Sequence, residues 1–165
     1  MAERFPAINF DDYHAETLPA LLAEGRAALA AKAAYGLKPL AIRVGDSSYT
    51  YQMQDELVSI CAGESLAETT IGLSQQHWQD LVYDLESAPG LLYNQLLESS
   101  EGDPFQLMRW EPALRALYCG IPPYEPSMAE LRDRNGARLS ADAAYSLDNS
   151  DEEMVDFLEA AGYLL

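Results

Sequence analysis

The sequence predicts an α+β fold: an antiparallel sheet of four to five strands covered by helices, with an N-terminal helix and a C-terminal helical extension. Two observations predict the sheet and its cover. Four short runs between Pro39 and Leu73 alternate apolar and polar residues with a period of two, as half-buried strands do. An amphipathic helix follows these runs directly. We expect residues 1–120 to form this domain and residues 121–165 to form a linker and an acidic helix.

The N-terminal helix is predicted from Leu18 to Tyr35, where apolar residues recur every three or four positions. Pro19 suits its first turn and Gly36 suits its C-terminal stop. Many of its residues are alanines, which raise helix propensity and permit close packing.

The strands are predicted at Leu40–Val44, Tyr49–Met53, Leu57–Ala62 and Glu68–Leu73. Turns of three to five residues connect them, and short loops favour pairing between consecutive strands. We therefore expect an antiparallel meander.

The covering helix is predicted to begin after Ser74, a good N-cap, and to end at Pro89-Gly90. Its apolar positions follow at i, i+3, i+4 and i+7 and are Trp78, Leu81, Val82 and Leu85. The leucines that come next either begin a short helix or run into a last strand near Tyr93–Ser99. Periodicity alone does not separate these two alternatives.

A further helix is predicted from Asp103-Pro104, an N-cap followed by a proline, to Gly120. Pro112 is expected to kink or split it. Prolines after Gly120 predict an extended linker, and Ser150–Glu153 predicts a capping box that opens the acidic helix. The apolar end, Tyr163–Leu165, indicates a chain cut within a longer protein.

Composition excludes several classes of function. The 165 residues include 27 Asp and Glu against 10 Lys and Arg, so the net charge of −17 repels nucleic acids and anionic lipid surfaces. The first ten residues contain no apolar core of a signal peptide, and no run is long enough for a membrane span. We expect a cytoplasmic protein with no nucleic-acid partner and no stable membrane insertion.

Residues with the chemistry for catalysis are scarce. The chain has two cysteines, Cys61 and Cys119, at no zinc-site spacing, and two histidines, His14 and His77, with no partner nearby in sequence. We expect reduced core thiols, no metal, no cofactor and no enzymatic activity. An enzyme would need the two histidines to meet a carboxylate in the fold.

The stretch from Leu40 to Leu117 resembles the sterol carrier protein 2 (SCP2) family in the order of its elements. The chain departs from the family at Leu96–Glu101, where members have a clear fifth strand. The sequence there does not determine whether this chain forms that strand. The resemblance rests on the hairpin Ala41–Met53, the strands Leu57–Ala62 and Thr69–Ser74, the tryptophan-bearing helix Gln76–Leu81 and the late Gly102-Asp103.

This resemblance implies a binding domain with an apolar cavity for a lipid, a fatty acyl chain or a sterol-like molecule between sheet and helices. The candidate ligand-binding residues are Tyr51, Met53, Ile60, Ile71, Trp78, Leu81, Val82, Leu85, Leu92 and Leu96.

The C-terminal part resembles the connector before the catalytic domain of bacterial phytanoyl-CoA dioxygenase-like hydroxylases, at Trp110–Tyr118, Pro123-Tyr124 and Asp148–Leu165. It implies an accessory domain of a larger hydroxylase. The His-x-Asp pair that binds iron in that family is missing at both histidines.

The alternative is a protein interaction or dimerisation module whose core is filled by its own side chains. Such a module would bind a second copy of itself or a catalytic domain. Aromatic residues dominate interface energetics. Its exposed anchors are predicted to be Trp110, Tyr118, Tyr124, Tyr163 and Leu164.

Overall fold

A five-stranded mixed sheet lies at the centre of the computed structural model, which describes residues 5–123. The predicted α+β class with a helix-covered sheet is confirmed. The spatial order is β3-β2-β1-β4-β5, and the strands are β1 Leu40–Val44, β2 Ser47–Gln54, β3 Leu57–Ala62, β4 Thr69–Gly72 and β5 Ser99–Glu101.

Helices precede, interrupt and follow these strands. The N-terminal helical segment runs from Phe10 to Ala34, with a π-helical turn at Tyr13–Thr17 and a kink within Leu22–Arg26, where Gly25 takes a non-helical φ of 107°. The α-helices are α1 Phe10–Asp12, α2 Leu18–Leu21, α3 Ala27–Ala34, α4 Gln75–Val82, α5 Ala88–Tyr93 and α6 Phe105–Cys119.

Strand pairing departs from the predicted meander at β4. The hairpins β1–β2 and β2–β3 are antiparallel as expected, but β4 pairs in parallel with β1. The chain after β3 crosses the sheet face opposite the helices. Two hydrogen bonds hold this crossing: the Thr50 hydroxyl donates to the Gly63 carbonyl at 2.6 Å, and the Glu68 backbone N–H donates to the Pro39 carbonyl at 3.0 Å. The meander prediction was wrong because alternation identifies the buried face of a strand and leaves its neighbour unspecified.

The register places the apolar side chains of three strands on one face. Leu40 opposes Tyr51 and Ile42 opposes Ile71, and all four are fully buried. α6 packs on β1 and α3 packs on β2 and β3. The core therefore lies between this face and the helices.

The first helix begins earlier than the predicted Leu18. The side chain of Asn9 accepts hydrogen bonds from the backbone of Asp11 and Asp12, which caps a helical segment that starts at Phe10. Its end is as expected, since α3 stops at Ala34 and Gly36 takes a left-handed φ of 74°.

The helix predicted to cover the sheet, α4, starts as predicted and ends early; it packs against α6. Ser74 accepts from the backbone of His77 and caps α4, which ends at Val82. Leu85 therefore lies outside it. Pro89-Gly90 does not end this helix but belongs to the first turn of α5, capped by Ser87.

The helical alternative holds for the first part of the leucine-rich stretch, since α5 contains Leu91 and Leu92. The last strand lies later than the predicted Tyr93–Ser99, because β5 begins only at Ser99 and pairs antiparallel with β4. α6 continues through Pro112 as one helix and ends at Gly120, whose φ is 68°. The predicted linker from Tyr124 onward, the acidic helix and the apolar end lie outside the described residues.

Candidate functional site

Three buried polar side chains join into one hydrogen-bonded chain inside the core, which we call the polar chain: His14, Tyr51 and Tyr118. His14 Nε2 lies 2.6 Å from the Tyr51 hydroxyl, and that hydroxyl lies 2.5 Å from the Tyr118 hydroxyl. The three residues are at most 6% exposed. They come from the π-helical turn, the central part of β2 and the last turn of α6.

The proton positions along the polar chain follow from one backbone group. His14 Nδ1 lies 2.7 Å from the Phe10 carbonyl oxygen, which only accepts, so Nδ1 carries the ring proton and donates it. The neutral ring then accepts at Nε2 from the Tyr51 hydroxyl. Because Tyr51 has no second proton, Tyr118 donates to the Tyr51 oxygen.

Burial decides the charge of every member. It lowers the pKa of His14 from 6.5 to about 4, against smaller opposing effects of the Phe10 carbonyl and the Asp11 carboxylate. Burial also raises the pKa of Tyr51 and of Tyr118 well above the usual value. The polar chain is therefore neutral at pH 7.

Aromatic rings surround Trp78, which is fully buried on α4. The ring of Phe10 meets it edge-on with centroids 4.8 Å apart, and the Tyr13 ring lies at 5.5 Å. His14 stacks on Tyr49 with centroids 4.1 Å apart and planes 10° from parallel. The N-terminal helical segment thus supplies much of the cover over this tryptophan.

The indole nitrogen of Trp78 is buried and has no hydrogen-bond partner among residues 5–123. The indole lies close enough to the Tyr118 hydroxyl to lower the pKa of Tyr118 slightly against burial, yet outside hydrogen-bond geometry. The other tryptophan differs, since Trp110 Nε1 donates to the Lys38 carbonyl at 2.8 Å. An unpaired buried donor is uncommon in folded proteins.

Residues 5–9 run along the outside of α4 and are held by its polar side chains; we call them the strap. Gln75 donates to the Ile8 carbonyl at 2.7 Å, and Gln79 accepts from the Ile8 N–H at 3.1 Å. Tyr83 donates to the Pro6 carbonyl at 2.9 Å. The strap leads directly into Phe10 and the π-helical turn.

The structure buries five of the ten predicted ligand-binding residues in one hydrophobic core. Those that are buried are Tyr51, Ile71, Trp78, Leu81 and Val82. Those that are half-buried and pack against the same core are Met53, Ile60, Leu92 and Leu96. Leu85 is 54% exposed and is not brought to this group.

Sequence reasoning missed His14 and Tyr118 as members of a site. The signal that could have found His14 is the recurrence of Phe10, His14 and Leu18 every four residues. This spacing predicts a longer N-terminal helix with His14 on its buried face. The prediction that Trp110 and Tyr118 are exposed anchors was wrong, because both are buried on α6. The other three anchors lie outside the described residues.

The two histidines have separate partners. His77 is half-buried, and its Nδ1 lies 3.1 Å from the carbonyl oxygen of Leu96, whereas His14 belongs to the polar chain. Within residues 5–123 no group of three or more His, Cys, Asp or Glu side chains is placed to hold a metal ion. No helix in the same part of the chain has the length and apolar character to cross a bilayer.

A surface pocket of about 320 Å³ lies beside the C-terminal half of α6 and is bounded by Glu111, Arg115 and Ile121–Pro123. Its charged groups are already bonded within the fold. Glu111 accepts from the Ala88 N–H at 2.9 Å, and Arg115 pairs with Asp84 at 2.8 Å. We place no functional group there.

Comparison with known protein families finds no matching family, and comparison with curated proteins finds no match. Solved structures are similar in fold. Sterol carrier protein 2 from Yarrowia lipolytica, in its apo form, is 15% identical with a TM-score of 0.49 over 68% of this chain and 98% of that one. UbiJ-SCP2, a ubiquinone synthesis protein, is 15% identical with a TM-score of 0.47 over 66% and 99%. A conserved hypothetical protein of Thermus thermophilus, described as possibly a sterol carrier protein, is 17% identical with a TM-score of 0.43 over 75% and 96%. Identities this low identify no ligand.

Proposed function

We propose that the domain binds one apolar small molecule, a lipid, a fatty acyl chain or a sterol-like compound, between α4 and the helix-covered face of the sheet, without catalysing a reaction. The unpaired indole N–H of Trp78, buried beside the polar chain, carries this proposal. A buried donor without a partner costs about 1–3 kcal/mol. A ligand whose polar end accepts from this donor removes that cost.

The surroundings suit the rest of such a molecule. Ile71, Leu81 and Val82 are buried in the same hydrophobic core as Trp78 and have only apolar side chains. A ligand that loses about 400 Å² of apolar surface to such walls gains about 10 kcal/mol before the cost of ordering it is subtracted. Micromolar affinity, about 8 kcal/mol, needs no charged contact. The resemblance of Leu40–Leu117 to the sterol carrier protein 2 family supports the same class of ligand.

Entry would occur at the strap. Its bonds from Gln75 and Tyr83 are exposed to water, so they contribute little stability and are exchanged easily for bonds to solvent. Displacing the strap together with Phe10 and Tyr13 uncovers Trp78. We expect the strap to move during uptake while the sheet stays in place.

The two tryptophans make a direct test possible, because a ¹⁵N-labelled sample has two indole N–H signals. Delipidated protein is titrated with a fluorescent fatty acid and a fluorescent sterol while these signals are recorded. We expect saturable binding of one molecule per chain and a shift of the Trp78 signal, with the Trp110 signal as the internal control. Absence of binding at tens of micromolar for both probes would remove the proposal.

An interaction or dimerisation module is the second candidate, favoured by the complete burial of Tyr51, Trp78 and Trp110, which fill the core with the chain's own side chains. Light scattering tests for a homodimer. The resemblance of Trp110–Tyr118 to a hydroxylase connector supports a role beside a phytanoyl-CoA dioxygenase-like catalytic domain, which a pull-down with such a domain tests.

A further inference from the structure

We infer that the interior site is specific for a neutral hydroxyl head group, which would donate to the Tyr118 oxygen and accept from Trp78 Nε1. This inference rests on the proposed function and narrows it to alcohols with a long apolar body. Trp78 and Tyr118 are then the residues that recognise the head group through hydrogen bonds.

Directionality of the polar chain is the first step. The Phe10 carbonyl fixes the His14 proton on Nδ1. The Tyr51 hydroxyl therefore donates to His14 Nε2, and the Tyr118 hydroxyl donates to the Tyr51 oxygen. At the far end, the Tyr118 oxygen has no proton left and offers only lone pairs. The polar chain therefore ends in an acceptor.

The second step is the adjacent donor. Trp78 Nε1 only donates and is buried. It lies beside the Tyr118 hydroxyl but outside hydrogen-bond geometry, and has no other partner in residues 5–123. A head group that satisfies both atoms must donate one hydrogen bond and accept another. A hydroxyl does both, whereas an ester carbonyl only accepts.

Charge is the third step. His14 is neutral, and burial holds Tyr51 and Tyr118 in their neutral forms. Arg26 is held at the end of α6, where its guanidinium already donates to the carbonyls of Leu117 and Tyr118. A carboxylate in the site would be buried without a counter-charge, which is costly. Free fatty acids are therefore disfavoured.

Three probes with the same carbon chain separate these head groups: hexadecan-1-ol, methyl palmitate and palmitate, each delivered from cyclodextrin to delipidated wild-type protein at pH 7.5. Dissociation constants come from native mass spectrometry and from the shift of the Trp78 indole signal. We expect the alcohol to bind about 2- to 10-fold more tightly than the ester, the range that one neutral hydrogen bond supplies, and the ionised acid to bind most weakly.

Tyr118→Phe tests the role of the terminal acceptor. We expect the preference for alcohol over ester to fall to about onefold in this variant, since its lost hydrogen bond is the one only the alcohol makes. Trp78→Phe is expected to weaken alcohol and ester alike. Tyr35→Phe, which removes the hydroxyl of a side chain that is 85% exposed at the end of α3, is the matched control and is expected to keep the wild-type preference.

The outcomes distinguish this inference from the proposed function. Failure of all three probes to bind would overturn both. Binding in which palmitate is tightest, or in which alcohol and ester are equal in wild-type protein, would leave the proposed function standing and overturn the hydroxyl specificity. A Trp78 indole signal that does not respond to the bound alcohol would also overturn the hydroxyl specificity.

Discussion

The hydroxyl oxygens of Tyr51 and Tyr118 lie 2.5 Å apart in the core, although 67 positions separate the two residues in sequence. This bond links the centre of β2 to the last turn of α6. Because Tyr51 also bonds His14, three distant parts of the chain meet at one hydroxyl. Several measurable properties depend on it.

Tyr51→Phe is expected to destabilise the fold by about 1–3 kcal/mol, because it leaves His14 Nε2 without its donor and Tyr118 without its acceptor. Tyr118→Phe removes only the terminal donor and is expected to cost about 1 kcal/mol. Urea denaturation of both variants measures the difference. Equal losses, or a larger loss for Tyr118→Phe, would contradict the direction assigned to the polar chain.

Acid is expected to weaken the fold through His14. Its pKa is about 4 in the folded protein and 6.5 in an exposed chain, so the unfolded state binds more protons between these values. The free energy of unfolding therefore falls as pH decreases from 6.5 to 4, by about 3 kcal/mol from this group.

The variant His14→Gln isolates that contribution, because carboxylates titrate in the same range. We expect its loss of stability between pH 6.5 and pH 4 to be smaller than that of wild-type protein. His77→Gln serves as the matched replacement of an imidazole outside the polar chain. A His14→Gln curve parallel to wild type would show that His14 does not titrate in this window.

The two tryptophans are expected to respond differently to the same substitution, although both are fully buried. Trp110→Phe leaves the Lys38 carbonyl without its donor, while Trp78→Phe removes a donor that has no partner among the described residues. We expect Trp110→Phe to cost about 1–3 kcal/mol more in ligand-free protein. Thermal melting of delipidated samples gives the order, and a larger loss for Trp78→Phe would point to an acceptor that the described residues do not include.

The turn between β2 and β3 offers a stabilising substitution. Asp55 and Glu56 have φ values of 50° and 66°, a left-handed conformation that glycine adopts without strain. We expect Glu56→Gly to stabilise the fold by about 0.5–1 kcal/mol in urea denaturation. Ser65→Gly, at a position without positive φ, is the control and is expected to bring no gain.

Much of the fold could be predicted because local chemistry specifies it. The alternation in β1 and β2, the cap at Ser74 and the stop at Gly36 all act within a few residues. The partner of β4 could not be predicted, since its pairing depends on a chain crossing that no local pattern records. The early start at Phe10 was missed because the π-helical turn at Tyr13–Thr17, with its extra residue, shifts the helical phase just after the start.

The candidate site was predictable in its apolar part and not in its polar part. Trp78, Leu81 and Val82 follow a helical period, and their burial follows from it. Tyr118 follows Trp110 by eight residues along α6, so both lie on one face, but aromatic residues suit interfaces as well as cores. Only the fold reveals that the Tyr118 hydroxyl meets a tyrosine and a histidine.

The parallel pairing of β4 with β1 has a kinetic consequence. The hairpins β1–β2 and β2–β3 close over short loops and are able to form as soon as residues 40–62 have left the ribosome. β4 then docks on the free edge of β1, so the nascent sheet grows from both sides of one strand. Tyr51 of β2 gains its full set of hydrogen-bond partners only after residue 118 has been translated, because Tyr118 lies in the last turn of α6.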